Sequence, residues 1–264
     1  MNRIDQKFKK LKKNKKKAFI AFITAGDPDL KTTEDLALAF DKAGVDIIEL
    51  GVPFSDPLAD GPTIQAASQR ALKKGVNLEK IFALVQRIRK RSQIPIALMT
   101  YYNPIFHTGE KKFFAQAQKS GVDGVIVPDL PPEEAKNFIQ AAKSRGIATV
   151  FFIAPTTTKK RMQLIARAST GFIYYVSLTG VTGARQGLDA SITKQIRLTK
   201  KHTSKPVCVG FGISTPAQVK SVSRIADGVI VGSAIINQIV KHAGRKNCVA
   251  NVTRFVRGLA KVLK

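Results

Sequence analysis

The feature that most constrains the fold of this chain is a repeated alternation of short apolar runs with longer amphipathic segments. Eight such runs recur, most of them about 25 to 35 residues apart, and each is followed by a segment with helical periodicity. The predicted strands are 18–24, 46–50, 95–101, 122–127, 147–153, 172–176, 206–210 and 227–231. Alternation of this kind requires a parallel sheet, and eight units in 264 residues predict an α/β fold, the closed (β/α)8 TIM barrel.

The alternative to a closed barrel is an open, doubly wound sheet. The first strand ends at Gly26-Asp27-Pro28 and lacks the Gly-x-Gly-x-x-Gly turn that a dinucleotide would need there, which favours the barrel. We expect a single domain over residues 1–264, in which residues 1–17 form a basic N-terminal helical segment. The predicted helices of the barrel are 31–43, 62–73, 78–91, 110–119, 132–145, 158–168, 190–202 and 215–224.

The formal net charge of +26 raises the question of a nucleic-acid partner. Residues 1–17 hold eight Lys and one Arg against Asp5, so they supply +8 and leave +18 dispersed over the remainder. Aromatic residues do not alternate with these charges, and no zinc-finger or RNP pattern is present. A lysine-rich solvated surface is therefore favoured, and a basic barrel that binds nucleic acid is kept as an alternative from a different functional class.

Other classes of site and location are disfavoured by composition. No apolar run approaches the roughly 20 residues that span a bilayer, and no signal-like apolar core follows the basic N-terminus, so we expect a cytoplasmic protein. Cys208 and Cys248 are expected to be reduced. His107, His202 and His242 are scattered, which argues against a metal site or a histidine-based triad.

A loop rich in proline and carboxylates follows the second predicted strand: Glu49-Leu-Gly-Val-Pro-Phe-Ser-Asp-Pro-Leu-Ala-Asp-Gly-Pro62. On a purely structural interpretation, Glu49 marks the solvated end of the strand and Asp60 caps the helix that begins near Pro62. On a functional interpretation, Glu49 faces a site at the carboxyl end of a barrel strand, where burial tunes its pKa. Asp60 then lies above Glu49 in the loop that follows the strand. The rest of the chain favours the functional interpretation.

Glycine-rich turns follow the last three predicted strands, at Thr179-Gly-Val-Thr-Gly183, Gly210-Phe-Gly-Ile-Ser214 and Val231-Gly-Ser-Ala234. In barrels, loops after strands seven and eight often hold phosphate, and glycine lets backbone N–H groups approach the anion. No Arg or Lys lies within these turns, which favours a single phosphate monoester over a nucleotide. The sequence thus predicts proton transfer by carboxylates on a phosphorylated substrate.

Several stretches together resemble the tryptophan synthase alpha subunit family. Besides the loop at 49–62, these are Phe22-Ile-Thr-Ala-Gly-Asp-Pro28, Met99-Thr-Tyr-Tyr-Asn-Pro-Ile-Phe106, Val127-Pro-Asp-Leu-Pro131, Gly180-Val-Thr-Gly183, Gly210-Phe-Gly-Ile213 and Gly232-Ser233. The resemblance covers roughly residues 18 to 240. It implies retro-aldol cleavage of indole-3-glycerol phosphate to indole and glyceraldehyde 3-phosphate. Glu49 would be the general acid/base, and Asp60 would hold the indole N–H.

The resemblance also implies a set of substrate-binding residues. The indole pocket would be walled by Phe22, Met99, Ile126, Ile153 and Tyr174, and the neighbouring Tyr175 must face the other way in a strand, so a register error would exchange the two tyrosines. Thr182 would meet Asp60 when its loop folds over the site. The residues implied at the phosphate end are Gly183, Phe211, Gly212, Gly232 and Ser233.

The resemblance further implies an alpha-beta-beta-alpha complex. The beta subunit would carry pyridoxal phosphate and join indole to serine, so this chain would need no cofactor. Pro53, Asp56 and the segment Asp129–Pro132, including Pro131, would be exposed on the face that contacts this partner. A free-standing lyase that releases indole without a beta subunit is the alternative enzyme interpretation.

Overall fold

Eight parallel strands close into a barrel in the computed structural model, which describes residues 2–176, 190–210 and 212–263. The strands are β1 (Ala18–Thr24), β2 (Ile47–Gly51), β3 (Ile96–Met99), β4 (Gly124–Ile126), β5 (Ala148–Ile153), β6 (Ile173–Val176), β7 (Val207–Gly210) and β8 (Gly228–Val231). Each strand pairs with the next in chain order, and β8 pairs with β1. The predicted TIM barrel is confirmed.

Twelve α-helices are present in the described part of the chain. They are α1 (Arg3–Lys13), α2 (Leu30–Ala43), α3 (Pro62–Lys73), α4 (Leu78–Arg89), α5 (Tyr102–Thr108), α6 (Glu110–Ser120), α7 (Lys136–Ser144), α8 (Lys159–Ala168), α9 (Ala190–Lys201), α10 (Pro216–Ser223), α11 (Ser233–His242) and α12 (Cys248–Ala260), followed by a 3-10 turn, Lys261–Leu263. None of these helices is long and apolar enough to cross a membrane.

Two helices differ from the sequence prediction. The helix predicted to begin at 132 begins at Lys136, because turns closed by the carbonyls of Pro131 and Pro132 precede it. Helix α5 was not predicted, since Pro104 suggests a break. Pro104 occupies the third helical position, where a backbone N–H would have no partner inside the helix, so the proline is tolerated.

Alternate residues of each strand point into the barrel, as the two-residue period of a strand requires. The interior layer consists of Ala18, Ile20, Ile47, Ala97, Ile126, Ala148, Val150, Phe172, Cys208 and Ile230. The intervening residues pack outward against the helices. Two residues further along the same strands, the inward positions reach the carboxyl end of the barrel, and these are Phe22, Glu49, Met99, Phe152 and Tyr174.

Three aspartates organise the opposite, amino end of the barrel. Each lies just before a strand and accepts a hydrogen bond from a backbone N–H at the start of the neighbouring strand. The bonds run from Phe19 to Asp46 at 3.0 Å, from Ile96 to Asp123 at 2.9 Å and from Val207 to Asp227 at 3.1 Å. Charged side chains compensate the aspartates: Arg89 lies 2.7 Å from Asp123, for example.

Helix α1 covers the amino end of the barrel. Its buried stripe, Ile4, Phe8 and Leu11, joins the interior layer. Its basic side chains reach the aspartates of the strands, with Arg3 at 2.9 Å from Asp123 and Lys7 at 3.6 Å from Asp46. Helix α1 is thus held against the barrel by both apolar packing and ion pairs.

Candidate active site

Glu49 is the central residue of the carboxyl end of the barrel. It lies on β2 and points inward, two residues beyond Ile47, with none of its surface exposed. Neither carboxyl oxygen has a hydrogen-bond partner among the described residues. Burial, and secondarily the negative charge of Asp60, raises the pKa of Glu49 from an ordinary value of 4.5 to about 8. Glu49 is therefore mostly a neutral acid near pH 7.

Asp60 lies in the loop between β2 and α3. Burial raises the pKa of this half-buried carboxyl from 3.8 to about 6, although a hydrogen bond with Tyr101 opposes the shift. Asp60 does not cap α3, because the residue at the cap position is Gly61 and no side chain caps the helix there. The structural interpretation of Asp60 as a helix cap is thus wrong. Near pH 7 the site pairs a neutral Glu49 with an ionised Asp60.

Tyr101 fixes the position of this loop. Its hydroxyl accepts a hydrogen bond from the backbone N–H of Ala59 at 2.9 Å and also contacts the Asp60 carboxylate. Its ring stacks on Phe54 with centroids 5.1 Å apart. Sequence reasoning gave Tyr101 no role. The available signal was its place at the end of the predicted strand 95–101, two residues beyond β3, where the carboxyl end of a barrel strand favours functional side chains.

The inward strand residues form an apolar wall beside Glu49. Ile126 and Tyr174 point into the barrel, and Met99 is half-buried at its edge. Phe22 lies beside Glu49 in the β1–β2 register, two residues beyond the inward Ile20, so it also faces the interior. Burial raises the pKa of Tyr174 well above its usual range, with Glu49 and Cys208 among the nearby groups that add to the shift. A Cβ on Gly210 would lie 2.6 Å from the Tyr174 hydroxyl, so any side chain at position 210 would displace the tyrosine ring.

The structure assigns the two adjacent tyrosines of β6 to opposite faces. Tyr174 packs against the interior layer, and its ring centroid lies 4.9 Å from that of Phe152. Tyr175 is fully buried on the other face, in the core beneath the helices. The register that the sequence left open therefore places Tyr174 inside the barrel.

The interpretation of Ile153 as a wall of the pocket is wrong. Ile153 lies opposite Tyr175 in the β5–β6 register and is fully buried in the outer core. Since Val150 faces the interior, the strand period places Phe152 inside the barrel and Ile153 outside. Phe152 is the residue that sequence reasoning missed, and the alternation with Val150 could have identified it.

The predicted phosphate end is built around the start of α11. Gly232 occupies the cap position without a side-chain cap, and Ser233 is the first helical residue. The first-turn N–H groups of a helix have no partner within the helix, and they suit an anion. Gly212 is exposed with a φ of +66°, a conformation that favours glycine. Thr182, Gly183 and Phe211 lie outside the described residues.

The predicted partner face is only partly exposed. Asp56 and Asp129 are exposed, and Pro131 and Pro132 are half-buried. Pro53 is buried, so its expected exposure is wrong: the backbone of Val52 still bonds to Met99 of the neighbouring strand, which keeps the chain against the barrel. Two large apolar side chains at this end are strongly exposed: Leu58, in the loop after β2, at 92%, and Phe106, on α5, at 70%.

No cluster of three or more His, Cys, Asp or Glu side chains that could hold a metal ion occurs in the described ranges. The groups described at this end of the barrel are the two carboxyl groups, the apolar wall and the start of α11.

Comparison with known proteins agrees with this geometry. A family model described as the tryptophan synthase alpha chain matches residues 8–264. The tryptophan synthase alpha chain of Geotalea daltonii is 53% identical over 246 residues, which cover 93% of each chain. That of Thermoanaerobacter sp. (strain X514) is 49% identical over 263 residues and covers 100% of each chain.

Solved structures agree as well. The crystal structure of tryptophan synthase subunit alpha from Legionella pneumophila str. Paris matches with a TM-score of 0.92 at 38% identity, covering 100% of this chain and 98% of that one. A structure of the tryptophan synthase a2b2 complex from Pyrococcus furiosus matches with a TM-score of 0.87 at 42% identity, covering 93% and 99%. This chain belongs to the tryptophan synthase alpha chain family, whose members cleave indole-3-glycerol phosphate as lyases and carry no cofactor themselves.

Proposed function

We propose that Glu49 carries the proton in the cleavage of indole-3-glycerol phosphate and that Asp60 holds the indole N–H. The observation that carries this proposal is the fully buried Glu49 carboxyl, whose oxygens have no partner among the described residues and whose pKa is raised to about 8. A buried acid of this kind retains its proton at neutral pH and can give it to a substrate.

In this reaction, a single side chain both donates and recovers the proton. Neutral Glu49 protonates C3 of the indole ring, which places positive charge on the ring nitrogen. The carbon–carbon bond to the glycerol chain breaks, and its electron pair returns to the ring and restores neutral indole. The Glu49 carboxylate takes the proton from the hydroxyl on the glycerol carbon that was bonded to the ring, and this carbon becomes the aldehyde. Glu49 ends as it began, so no external acid or base is needed.

Asp60 stabilises the charge that develops during this step. Its pKa of about 6 leaves it ionised near pH 7, and Tyr101 holds the loop that carries it. A carboxylate that accepts the indole N–H favours the protonated ring over the neutral substrate, which is the difference that lowers the barrier. The apolar wall of Phe22, Met99, Ile126 and Tyr174 suits the ring itself. We add Phe152 to this wall.

The substrate phosphate is assigned to the start of α11. Gly232 and Ser233 supply backbone N–H groups at the positive end of the helix, and Gly212 contributes from the loop after β7. Gly183 and Phe211 complete the proposed phosphate end, and Thr182 is assigned to loop closure over Asp60. A single phosphate matches this set, because backbone donors at one helix start accommodate one anion.

The chain is proposed to pass indole to a tryptophan synthase beta subunit that holds pyridoxal phosphate, in the cytoplasm. The a2b2 assembly of the Pyrococcus furiosus relative supports an alpha-beta-beta-alpha complex. Asp56, Asp129, Pro131 and Pro132 are the proposed contacts, and the exposed Leu58 and Phe106 at the same end suit an apolar interface core. A free-standing lyase would have no use for such an exposed apolar surface.

Replacing either carboxylate should depress turnover more than substrate binding. We expect Glu49→Gln to lower kcat by roughly 10³-fold and Asp60→Asn by about 10²-fold, with smaller changes in KM, because both groups act mainly in the transition state. Indole release from indole-3-glycerol phosphate is the measurement. The exposed Glu79→Gln variant serves as the control and should match wild type. Full activity in either active-site variant would refute its proposed role.

Glu49 should also make the folded state less stable as pH rises. Because its folded pKa is about 8 and its ordinary value is 4.5, its contribution is fully present below pH 4.5 and is lost progressively up to pH 8. From pH 5 to pH 7, the unfolding free energy of Glu49→Gln should therefore gain about 2–3 kcal/mol relative to wild type. Urea denaturation at both pH values measures this. A pH-independent difference would contradict the raised pKa.

The beta-subunit interface can be tested through its exposed aromatic residue. We expect Phe106→Ser to weaken binding to the beta subunit by roughly tenfold, the loss typical of an interface anchor. Val240→Ser removes an exposed apolar side chain from α11 and should leave binding unchanged. Titration calorimetry with the isolated beta subunit compares the two. Equal affinities would place the interface elsewhere, and no binding by wild type would favour the free-standing lyase.

A further inference from the structure

A cavity lies at the amino end of the barrel, away from the proposed active site. Its volume is about 700 Å³, and it lies between α1 and the segments that lead into β6 and β7. Seven lysines line it: Lys9, Lys12, Lys15, Lys16, Lys17, Lys200 and Lys205. The only carboxylates in the lining are Asp5 and Asp227, so the lining carries a net formal charge of +5.

Most of this positive charge is not compensated within the described structure. Asp227 pairs with Lys17 at 3.4 Å and with Lys200 at 2.7 Å. The remaining five lysines of the lining form no ion pair with any described residue: Lys9, Lys12, Lys15, Lys16 and Lys205. Like charges in one concavity repel one another, so the arrangement favours an anion that neutralises them.

The folding of α1 directs cations toward this cavity. Ile4, Phe8 and Leu11 form the buried stripe of the helix, while Lys9 and Lys12 lie three residues apart on a neighbouring face. On another wall, Lys205 follows Thr203 and Ser204, whose side chains can donate to an anion. Positive charges from separate parts of the chain therefore line one cavity, which distinguishes it from a uniformly basic surface.

Lys15 provides an independent indication. It has a φ of 54°, and it is the one non-glycine residue with positive φ in the described chain. The helix ends there in a pair of hydrogen bonds, from Lys16 to the Leu11 carbonyl at 2.9 Å and from Lys15 to the Lys12 carbonyl at 3.1 Å. Glycine is preferred at this position, because an L side chain is strained there. A strained lysine that lines a cationic cavity suggests a binding role.

We propose that this cavity binds a short polyphosphate chain, either free or as part of a nucleoside triphosphate. Ammonium groups bind phosphate oxygens as point charges, and a triphosphate carries about four to five negative charges, which match the lining. The volume is in the range of small-ligand sites. A nucleic acid is less suitable: Phe8 is the aromatic residue of the lining, and it is buried rather than available for base stacking.

The proposal is tested by calorimetry with inorganic tripolyphosphate and, separately, with ATP, at about 0.15 M salt. A triple variant, Lys12→Gln with Lys15→Gly and Lys205→Gln, removes three cations from the cavity. A matched triple variant, Lys111→Gln with Lys112→Gln and Lys119→Gln, removes three exposed cations from α6. We expect the cavity variant to bind tripolyphosphate at least about tenfold more weakly and the α6 variant to bind like wild type.

The location of binding distinguishes this cavity from the phosphate end of the active site. Tripolyphosphate should shift the backbone amide signals of Thr170, Gly171 and Ser204, and leave that of Gly232 in place. ATP that binds like tripolyphosphate would show recognition of the phosphate chain alone, and tighter ATP binding would show that the nucleoside contributes. Both results support a triphosphate site.

Lys15→Gly alone separates binding from folding. Relief of the positive-φ strain should raise Tm without ligand, while the increase in Tm caused by tripolyphosphate becomes smaller. The proposal is overturned if both triple variants lose affinity equally, if tripolyphosphate does not bind wild type, or if its signal shifts centre on Gly232. Binding of a single-stranded RNA without binding of tripolyphosphate would likewise overturn it and indicate a nucleic-acid surface.

Discussion

The carboxyl group of Glu49 is buried in the barrel without a hydrogen-bond partner among the described residues, and the proposed chemistry depends on the proton that this burial retains. An ionised carboxylate in that position would be costly, so the fold stabilises the neutral acid. The same desolvation that keeps the proton on Glu49 lowers the free energy of unfolding at neutral pH. Catalytic capacity and stability are therefore coupled through one side chain.

The two ends of the barrel differ in whether their buried carboxyl groups have hydrogen-bond partners among the described residues. At the amino end, aspartates satisfy strand N–H groups and pair with arginine or lysine side chains, and α1 covers the interior layer. At the carboxyl end, the loop after β2 leaves Glu49 unsatisfied and holds Asp60 through Tyr101. This division follows the barrel architecture, in which one face supports stability and the other carries function.

The fold was predictable because each strand–helix unit repeats a pattern of local origin, and the strand period settled most inward positions. Errors occurred where a single residue depends on register or on neighbouring strands. Ile153 was assigned to the pocket although Phe152 occupies the inward position, and the burial of Pro53 depends on pairing that continues past β2. The hydrogen bonds of Tyr101 depend on the loop geometry, which periodicity does not encode.

The most direct test of the central claim is a measurement of the Glu49 pKa in the intact chain. Carbon-13 NMR of labelled glutamate carboxyl groups, with the Glu49→Gln spectrum used to identify the signal, follows its titration. The account predicts a midpoint near 8, well above the ordinary value of 4.5. A midpoint close to 4.5 would show that the carboxylate is ionised at neutral pH, and the proposed proton donor would not exist.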